Sequence, residues 1–283
     1  MKFSLQKIRW IFISVLFLGN FFAWYYVSQF YNQNLRVTFL DVGQGDAILI
    51  RAPYGRTVLI DGGPGKNILS LLSGQLPLFN KSIDLLMETH PDTDHVGGLP
   101  DVLSRYSVRG IIKPCIVSNN SYDQALDVLA KQQQVTEMCA EAGEMIDLGG
   151  GAKIEILYAG VGKVSDTNTA SIVAKLTYGD ESFLFTGDTT IAVEKYLTYT
   201  EGNKLQANVY KVSHHGSKNS NDEKFLQTVK PQISIISVGA GNSYGHPNQE
   251  VLTSLGILKS VILRTDQSGT IILESDGQKI FMH

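Results

Sequence analysis

Residues 83–99, IDLLMETHPDTDHVGGL, constrain this chain more than any other stretch. The apolar start, 83–87, reads as a buried strand, and the run stops at Thr89-His90. Pro91 and the pair Gly97-Gly98 keep regular structure from running through the segment after it. Between those breakers stand His90, Asp92, Asp94 and His95, two imidazoles and two carboxylates within six residues. Asp, Thr and Pro are ordinary turn residues. Two of the chain's six histidines, interleaved with aspartates at a strand end, point instead to a metal site, because both side chains bind divalent cations.

The rest of the chain supplies a frame for that loop. Residues 35–40 alternate and are β-prone, 41–46 form a Gly-punctuated turn, and 47–50 and 57–60 are further strands, the last ending at Asp61-Gly62-Gly63. Short strands with tight turns make an antiparallel meander. Helices are expected over 67–72, 97–105 and 121–133, the last opened by Ser121 as N-cap. After Gly149-Gly150-Gly151 a second strand-rich half begins, with strands at 153–158, 209–212 and 233–238 and a hairpin of 170–176 with 182–185. Helices are expected over 191–199 and 222–229 and after Asn248, and strands at 261–263, 270–273 and 279–281 close the chain. Two mixed sheets packed face to face, with helices outside, satisfy this order. Asp61, His90 to His95, Asp188, His214-His215 and His246 all fall at strand ends, so one edge of the layers is expected to carry the site.

The N-terminus is a separate unit. Lys2, Lys7 and Arg9 precede 10–27, 18 residues with no formal charge, enough to cross a bilayer core as a helix. Trp10 stands at one end and Trp24, Tyr25, Tyr26 and Tyr31 at the other, as in interfacial aromatic belts. No small-x-small cleavage site comes after the apolar run, which favours an uncleaved anchor over a signal peptide. The basic flank places the N-terminus in the cytoplasm and the body outside, in a single-pass arrangement. The reading is therefore a membrane anchor over 1–32 and a single folded body over 33–283. All 27 acidic residues and 21 of the 24 Lys and Arg lie in that body, so its formal charge is −6. This is not the basic footprint of a dedicated duplex-DNA binder. Two cysteines, Cys115 and Cys139, are too few for a disulfide framework or a thiolate zinc site. In an exported body they could pair, and two free thiols satisfy the sequence equally.

Several motifs together resemble a known family. The loop from Thr89 to Gly98 resembles the second motif of the metallo-β-lactamase superfamily, Asp61-Gly62-Gly63 the first, and Thr186-Gly187-Asp188 the fourth. More narrowly, FLDVGQGDA at 39–47, with Ser213-His214-His215-Gly216-Ser217 and the run from Asn242 to Pro247, looks like the extracytoplasmic hydrolase domain of the ComEC competence family, over residues 35–275. The resemblance implies an α/β (α+β) fold, an αββα sandwich behind one N-terminal transmembrane helix, with two divalent ions at one edge. The chain departs from the superfamily pattern twice: Asp92 replaces a usual His, and no His lies between His95 and His214. The usual third-motif ligand is missing, and Asn168 or Ser171 stands in its region.

On that resemblance His90 and Asp92 are expected on one ion, Asp94 and His95 on the other, Asp188 between them, and His246 as the remaining ligand of the second ion. Of His214 and His215, one would complete the first ion's site and the other would donate a proton to the leaving group, with Asp94 the third catalytic residue. Asp61 and Asn168 are expected behind the ligands, orienting them by hydrogen bonds. Lys211, Lys218 and Lys224 could meet substrate phosphate, helped by Ser217, Asn219 and Asn242; the plain alternative is solvated strand and helix ends. The ions would be Zn²⁺ or Mn²⁺, with the extra oxygen ligands tilting toward Mn²⁺. The expected function is a membrane-anchored phosphodiesterase, a nuclease of the DNA-uptake type, with DNA as substrate and an uptake channel protein as partner. Two alternatives stand beside it. One is a hydrolase of cell-wall or lipid phosphodiesters or another small ester, compatible with the acidic body. The other is a non-catalytic, metal-stabilised partner of a DNA-uptake or envelope assembly, motivated by the missing histidine.

Overall fold

In the computed structural model residues 4–30, 34–77 and 81–283 are described. Tyr31 and the boundary at 32/33 lie outside the described residues. Residues Leu5–Phe30 form one helix, and its stretch Leu5–Tyr25 is long and apolar enough to cross a membrane. None of that stretch is buried against the body. Phe12, Phe17 and Trp24 are therefore exposed apolar surface that needs cover from another phase or partner.

Apolar runs rich in Ile, Val and Leu build two large sheets. One has eight strands in the order Ile280–Met282, Ile271–Ser275, Leu35–Phe39, Ile48–Arg51, Thr57–Ile60, Leu85–Met87, Gly110–Lys113, Thr136–Cys139. The other has seven, in the order Met145–Gly149, Ala152–Tyr158, Val173–Tyr178, Glu181–Phe185, Val209–Lys211, Ile233–Ile236, Val261–Arg264. Each begins antiparallel and becomes parallel toward one side, as in the pairs Val58↔Leu85 and Tyr210↔Ser234. The parallel strands are continuous apolar runs because both of their faces are covered. Between the sheets Phe39, Ile50, Ile60 and Met87 meet Ile154, Phe183 and Phe185 in one core, with the Phe39 and Phe185 rings 6.4 Å apart. Helices Asn67–Gln75, Leu99–Arg105 and Ser121–Gln133 cover the first sheet through Ile68, Leu72, Leu99, Val102 and Leu126. Ile191–Thr200, Glu223–Val229 and Gln249–Ile257 cover the second through Leu197, Phe225, Leu226 and Leu255. Each such side chain taken out of water contributes about 1.5–3 kcal/mol. The layers are the expected αββα sandwich.

The departures from the sequence reading have local causes. The strand expected over 83–87 is split, because the Asp84 carboxylate accepts from the Thr57 amide (2.9 Å) and pairs with Arg109 (3.1 Å). The helix expected from Gly97 is two short ones, Thr93–Val96 and Leu99–Arg105. Asn120, not Ser121, caps its helix, accepting from the Tyr122 amide at 2.8 Å. The Asn248 side chain accepts from the Lys218 amide (2.8 Å) and so ties its helix to the His214-His215 turn rather than capping it. Cys115 and Cys139 form a disulfide.

Candidate metal centre

Strand ends deliver the site. Asp61 follows Thr57–Ile60 and sits at φ +57, where non-glycine residues are uncommon. Its Oδ1 accepts from the Thr89 amide (2.8 Å), and its Oδ2 accepts from Thr89 Oγ1 (2.7 Å) and from His95 Nδ1 (2.8 Å). Thr89 Oγ1 in turn lies 3.1 Å from His90 Nδ1. Across the site, His215 Nδ1 donates to the Ser237 carbonyl at 2.8 Å. All three buried rings thus spend Nδ1 on a fixed partner, which leaves the Nε2 lone pair facing inward.

What those nitrogens face is carboxylate. His95 Nε2 is 3.3 Å from Asp188 Oδ1, and His215 Nε2 is 3.5 Å from Asp188 Oδ2 and 3.4 Å from Asp94 Oδ2. His90 Nε2 is 3.7 Å from Asp92 Oδ2. Donor atoms of Asp94, His95, Asp188 and His215 all fall within 4.8 Å of one another. Yet the Nε2 atoms of His90, His95 and His215 and Oδ1 of Asp188 are buried without a hydrogen-bond partner. Buried polar atoms are rarely left so, and those of His95, His215 and Asp188 lie together, with His90 beside them facing Asp92, which fits metal binding. Asp46, Asp61 and His95 also come within 4.8 Å of each other. In that second group Asp61 is committed to Thr89 and His95, and Asp46 pairs through Oδ2 with Lys211 at 2.8 Å while its Oδ1 lies 3.5 Å from His215 Nδ1, so it supports the site from behind.

Close backbone approach holds the loops in place. A Cβ on Gly45, at φ +128, would lie 2.1 Å from the Asp94 carbonyl. Only glycine there lets the Asp46 amide donate to that carbonyl at 3.1 Å. His214 and His215 are both left-handed, at φ +50 and +52. Consecutive strained residues of this kind persist where surrounding structure over-determines them, as functional sites do. Here the His214 amide donates to the Gly187 carbonyl (3.1 Å) and the Ser217 amide to the His214 carbonyl (2.8 Å).

The field of the site is negative. Burial opposes charge on His95, but Asp188 and Asp61 outweigh it and push the ring well above its ordinary value. His215 is pushed up to about 9 against the same burial penalty, by Asp188, Asp46 and Asp94. Asp94 is lowered to about 2: burial raises it, and His215 and His95 prevail. His90 goes the other way, depressed by burial and by His95. Asp46, Asp61, Asp92, Asp94 and Asp188 offset by one Lys211 leave four formal negative charges, which two divalent ions would neutralise.

The structure brings together most of the expected residues and displaces a few. His215, rather than His246, joins Asp94, His95 and Asp188. His246 packs one ring further out, 5.7 Å from His214 and stacked on the exposed Tyr244. His214 lies on the solvent side, its Nε2 3.7 Å from Asp188 Oδ2. Lys211 is no phosphate contact: it is 1% exposed and pairs with Asp46 inside the protein. Ser217 is likewise buried, its hydroxyl accepting from the Asn219 amide at 3.2 Å. Lys218 and Asn219 are exposed beside it. Lys224 lines a polar cleft between outer helices with Lys195, Tyr199 and Asp222. Asn242 shapes the last loop, accepting from the His246 amide (3.1 Å) and donating to its carbonyl (2.7 Å). The Asn168 side-chain oxygen is buried and unpartnered. The sequence alone gives Asp46 no role in the site; it stands at the end of a Gly-punctuated turn, inside the FLDVGQGDA motif.

The His214-His215 turn rests on a buried buttress. Glu194 accepts from the Asn221 and Asp222 amides at 2.8 and 2.7 Å, and Asn221 Nδ2 donates to the Ser213 carbonyl at 3.0 Å. Burial lifts Glu194 from 4.5 to about 7, over the opposing backbone donors. A raised carboxylate favours the protonated fold, so its contribution is complete below about pH 4.5 and is lost as pH rises through 7. The shift corresponds to about 3 kcal/mol. Thermal melts of the full chain at pH 5 and pH 8 should show wild type losing more stability than Glu194→Gln on going alkaline. Parallel losses in the two proteins would refute this.

Residues 40–240 match the family model described as the metallo-beta-lactamase superfamily. The chain belongs to that superfamily. Among curated proteins it is 30% identical to ComE operon protein 3 of Bacillus subtilis over 258 residues, and 29% identical to competence protein ComA of Neisseria gonorrhoeae over 239 residues. Each match covers 83% of this chain but only 32% and 31% of the relative, so the chain spans about a third of those ComEC-type competence proteins. Two solved structures share the fold. The metallo-beta-lactamase fold protein YhfI from Bacillus subtilis superposes with a TM-score of 0.58 at 11% identity, covering 86% of this chain and 99% of that one. A diphosphatase of the PhnP family superposes at 0.51 with 16% identity, covering 85% and 98%.

Proposed function

We propose that this protein is a metal-dependent phosphodiesterase that cleaves DNA on the outer side of a membrane, held there by its N-terminal helix. The observation that carries the reading is the convergence of unpartnered Nε2 atoms on Asp188 in a chain related to competence proteins. His90, Asp92, Asp94, His95, Asp188 and His215 would hold the two ions, Zn²⁺ or Mn²⁺. Such ions lower the pKa of a bound water and stabilise charge on a transferring phosphoryl group. The chain's own residues do the rest. Asp61 and the Ser237 carbonyl fix the orientation of the His95 and His215 rings. His214, on the open side of Asp188, would give a proton to the leaving oxygen, and exposed Lys218 would meet phosphate. The Cys115–Cys139 disulfide supports an oxidising compartment for the body, and the apolar helix supports the anchor. A DNA-uptake channel is the partner this reading calls for.

The test is the full chain in detergent with Mn²⁺ or Zn²⁺, given single-stranded DNA. Cleavage should appear with metal and fall to background on chelation. Metal-dependent turnover of lipid or cell-wall phosphodiesters with DNA left intact would transfer the assignment to that substrate class. Absence of turnover on all of them with metal bound would leave a structural partner.

A further inference from the structure

We propose that Asn168 Oδ1 is a direct metal ligand, completing the ion site of His90 and Asp92 where the family pattern would place a histidine. The inference rests on the dinuclear reading above and concerns which atom fills its open position.

The segment 167–172 is stitched across the site. Thr167 Oγ1 donates to Asp92 Oδ1 at 2.6 Å, the Asp188 amide donates to Ser171 Oγ at 3.2 Å, and the Ile172 amide donates to the Thr89 carbonyl at 2.9 Å. Asn168 therefore lies between residues that touch Asp92 on one side and Asp188 on the other. Its backbone is satisfied: the amide donates to Asp166 Oδ1 (3.0 Å) and the carbonyl accepts from the Ser171 amide (3.2 Å). Its side-chain oxygen is not. Oδ1 is buried with no hydrogen-bond partner, as are the Nε2 atoms of His90, His95 and His215. A buried amide oxygen left unpaired is unfavourable, and a cation relieves it.

The neighbouring oxygens are spoken for. The Thr167 hydroxyl serves Asp92, the Thr169 hydroxyl donates to the Asp166 carbonyl at 2.6 Å, and the Ser171 hydroxyl receives the Asp188 amide. Asn168 Oδ1 is the uncommitted donor atom among them, which decides between Asn168 and Ser171. The resulting sites differ in character. One ion would be held by His90 with oxygens from Asp92 and Asn168; the other would be held by His95 and His215 with oxygens from Asp94 and Asp188. An oxygen-rich set suits a hard ion such as Mn²⁺, and the imidazole-rich set accepts Zn²⁺.

Metal content read by mass spectrometry, and titration calorimetry with Mn²⁺ and with Zn²⁺, test this on the stripped full chain in detergent, without any activity assay. Wild type should hold two ions. Asn168→Ala should hold one after dialysis, with the metal-free melting temperature unchanged. Asn168→His should hold two and move the affected ion toward Zn²⁺ over Mn²⁺ by about tenfold or more. Two ions with wild-type affinity in Asn168→Ala would overturn the assignment and leave the dinuclear reading standing. An unaltered Zn²⁺/Mn²⁺ preference in Asn168→His would overturn it as well, whatever the folding of the alanine variant. Fewer than two ions in wild type would overturn the dinuclear reading itself, and this inference with it.

Discussion

Asp188→Asn is expected to lower metal-dependent hydrolysis by more than about 100-fold, beyond the loss typical of removing a group that merely supports a ligand. The isosteric change keeps shape and removes charge. Asp188 sits on the turn after Glu181–Phe185, its amide fixed by Ser171 Oγ at 3.2 Å. One carboxylate oxygen is 3.3 Å from His95 Nε2 and the other 3.5 Å from His215 Nε2, so both of its oxygens face inward-pointing imidazole nitrogens. An amide offers one weak donor oxygen in place of two charged ones, and at least one ion per chain should be lost. The metal-free fold loses a partner too. Without cations Asp188 is held ionised by His215 and His95, so the stripped variant should melt below the wild-type temperature near neutrality. Asp94→Ala should behave the same way in the activity assay. Hydrolysis within tenfold of wild type in either variant, with two ions retained, would sink the site assignment.

The contrast between legible and illegible parts is physical. Strands at 57–60 and 85–87 could be read because they are parallel and covered on both faces, which leaves nearly every residue of each run apolar. The edge strand Thr136–Cys139 has all four residues exposed, so no burial pattern marks it. Loop 90–95 announced itself because Pro and Gly breakers isolate it from either neighbouring element. Asp46 did not, since an acid closing a turn is ordinary until the fold lays Gly45 against Asp94. That His215 joins Asp94 and His95, the place expected for His246, was also out of reach. It depends on two consecutive left-handed residues that swing the His215 ring inward, a geometry the sequence Ser-His-His-Gly-Ser does not specify by itself. Asn168 was legible only as a gap in a histidine pattern; its unpaired oxygen is a fact of three dimensions.

Lys211 shows the same limit with the largest consequence for stability. A lysine closing a strand is normally solvated, and only its approach to Asp46, far away in sequence, makes it an internal cation. Its ammonium is 2.8 Å from Asp46 Oδ2 and donates to the Val212 carbonyl at 3.0 Å. Burial acts to raise Asp46, but Lys211 and His215 overcome it and hold the carboxyl below its usual range. Lys211→Met would strand that carboxylate in the interior, at a cost of about 3–5 kcal/mol, the usual penalty for breaking a buried pair from one side. For a chain of this size that is a fall in melting temperature of roughly 10 °C. The sign with pH comes from Asp46. A depressed carboxylate contributes stability above its unfolded pKa and loses it as pH falls through the folded value. The methionine variant should therefore be weakest relative to wild type near neutrality, and the two should converge on acidification below about pH 4. Adding Asp46→Asn removes the stranded charge and should recover much of the loss, because neutral groups of similar volume can replace a buried pair at little cost. Melts of the metal-free full chain, single and double variants side by side, measure this directly. A lysine that read substrate phosphate would behave differently: Lys211→Met would raise KM and leave the melt within about 2 °C of wild type. That outcome would return Lys211 to the binding surface.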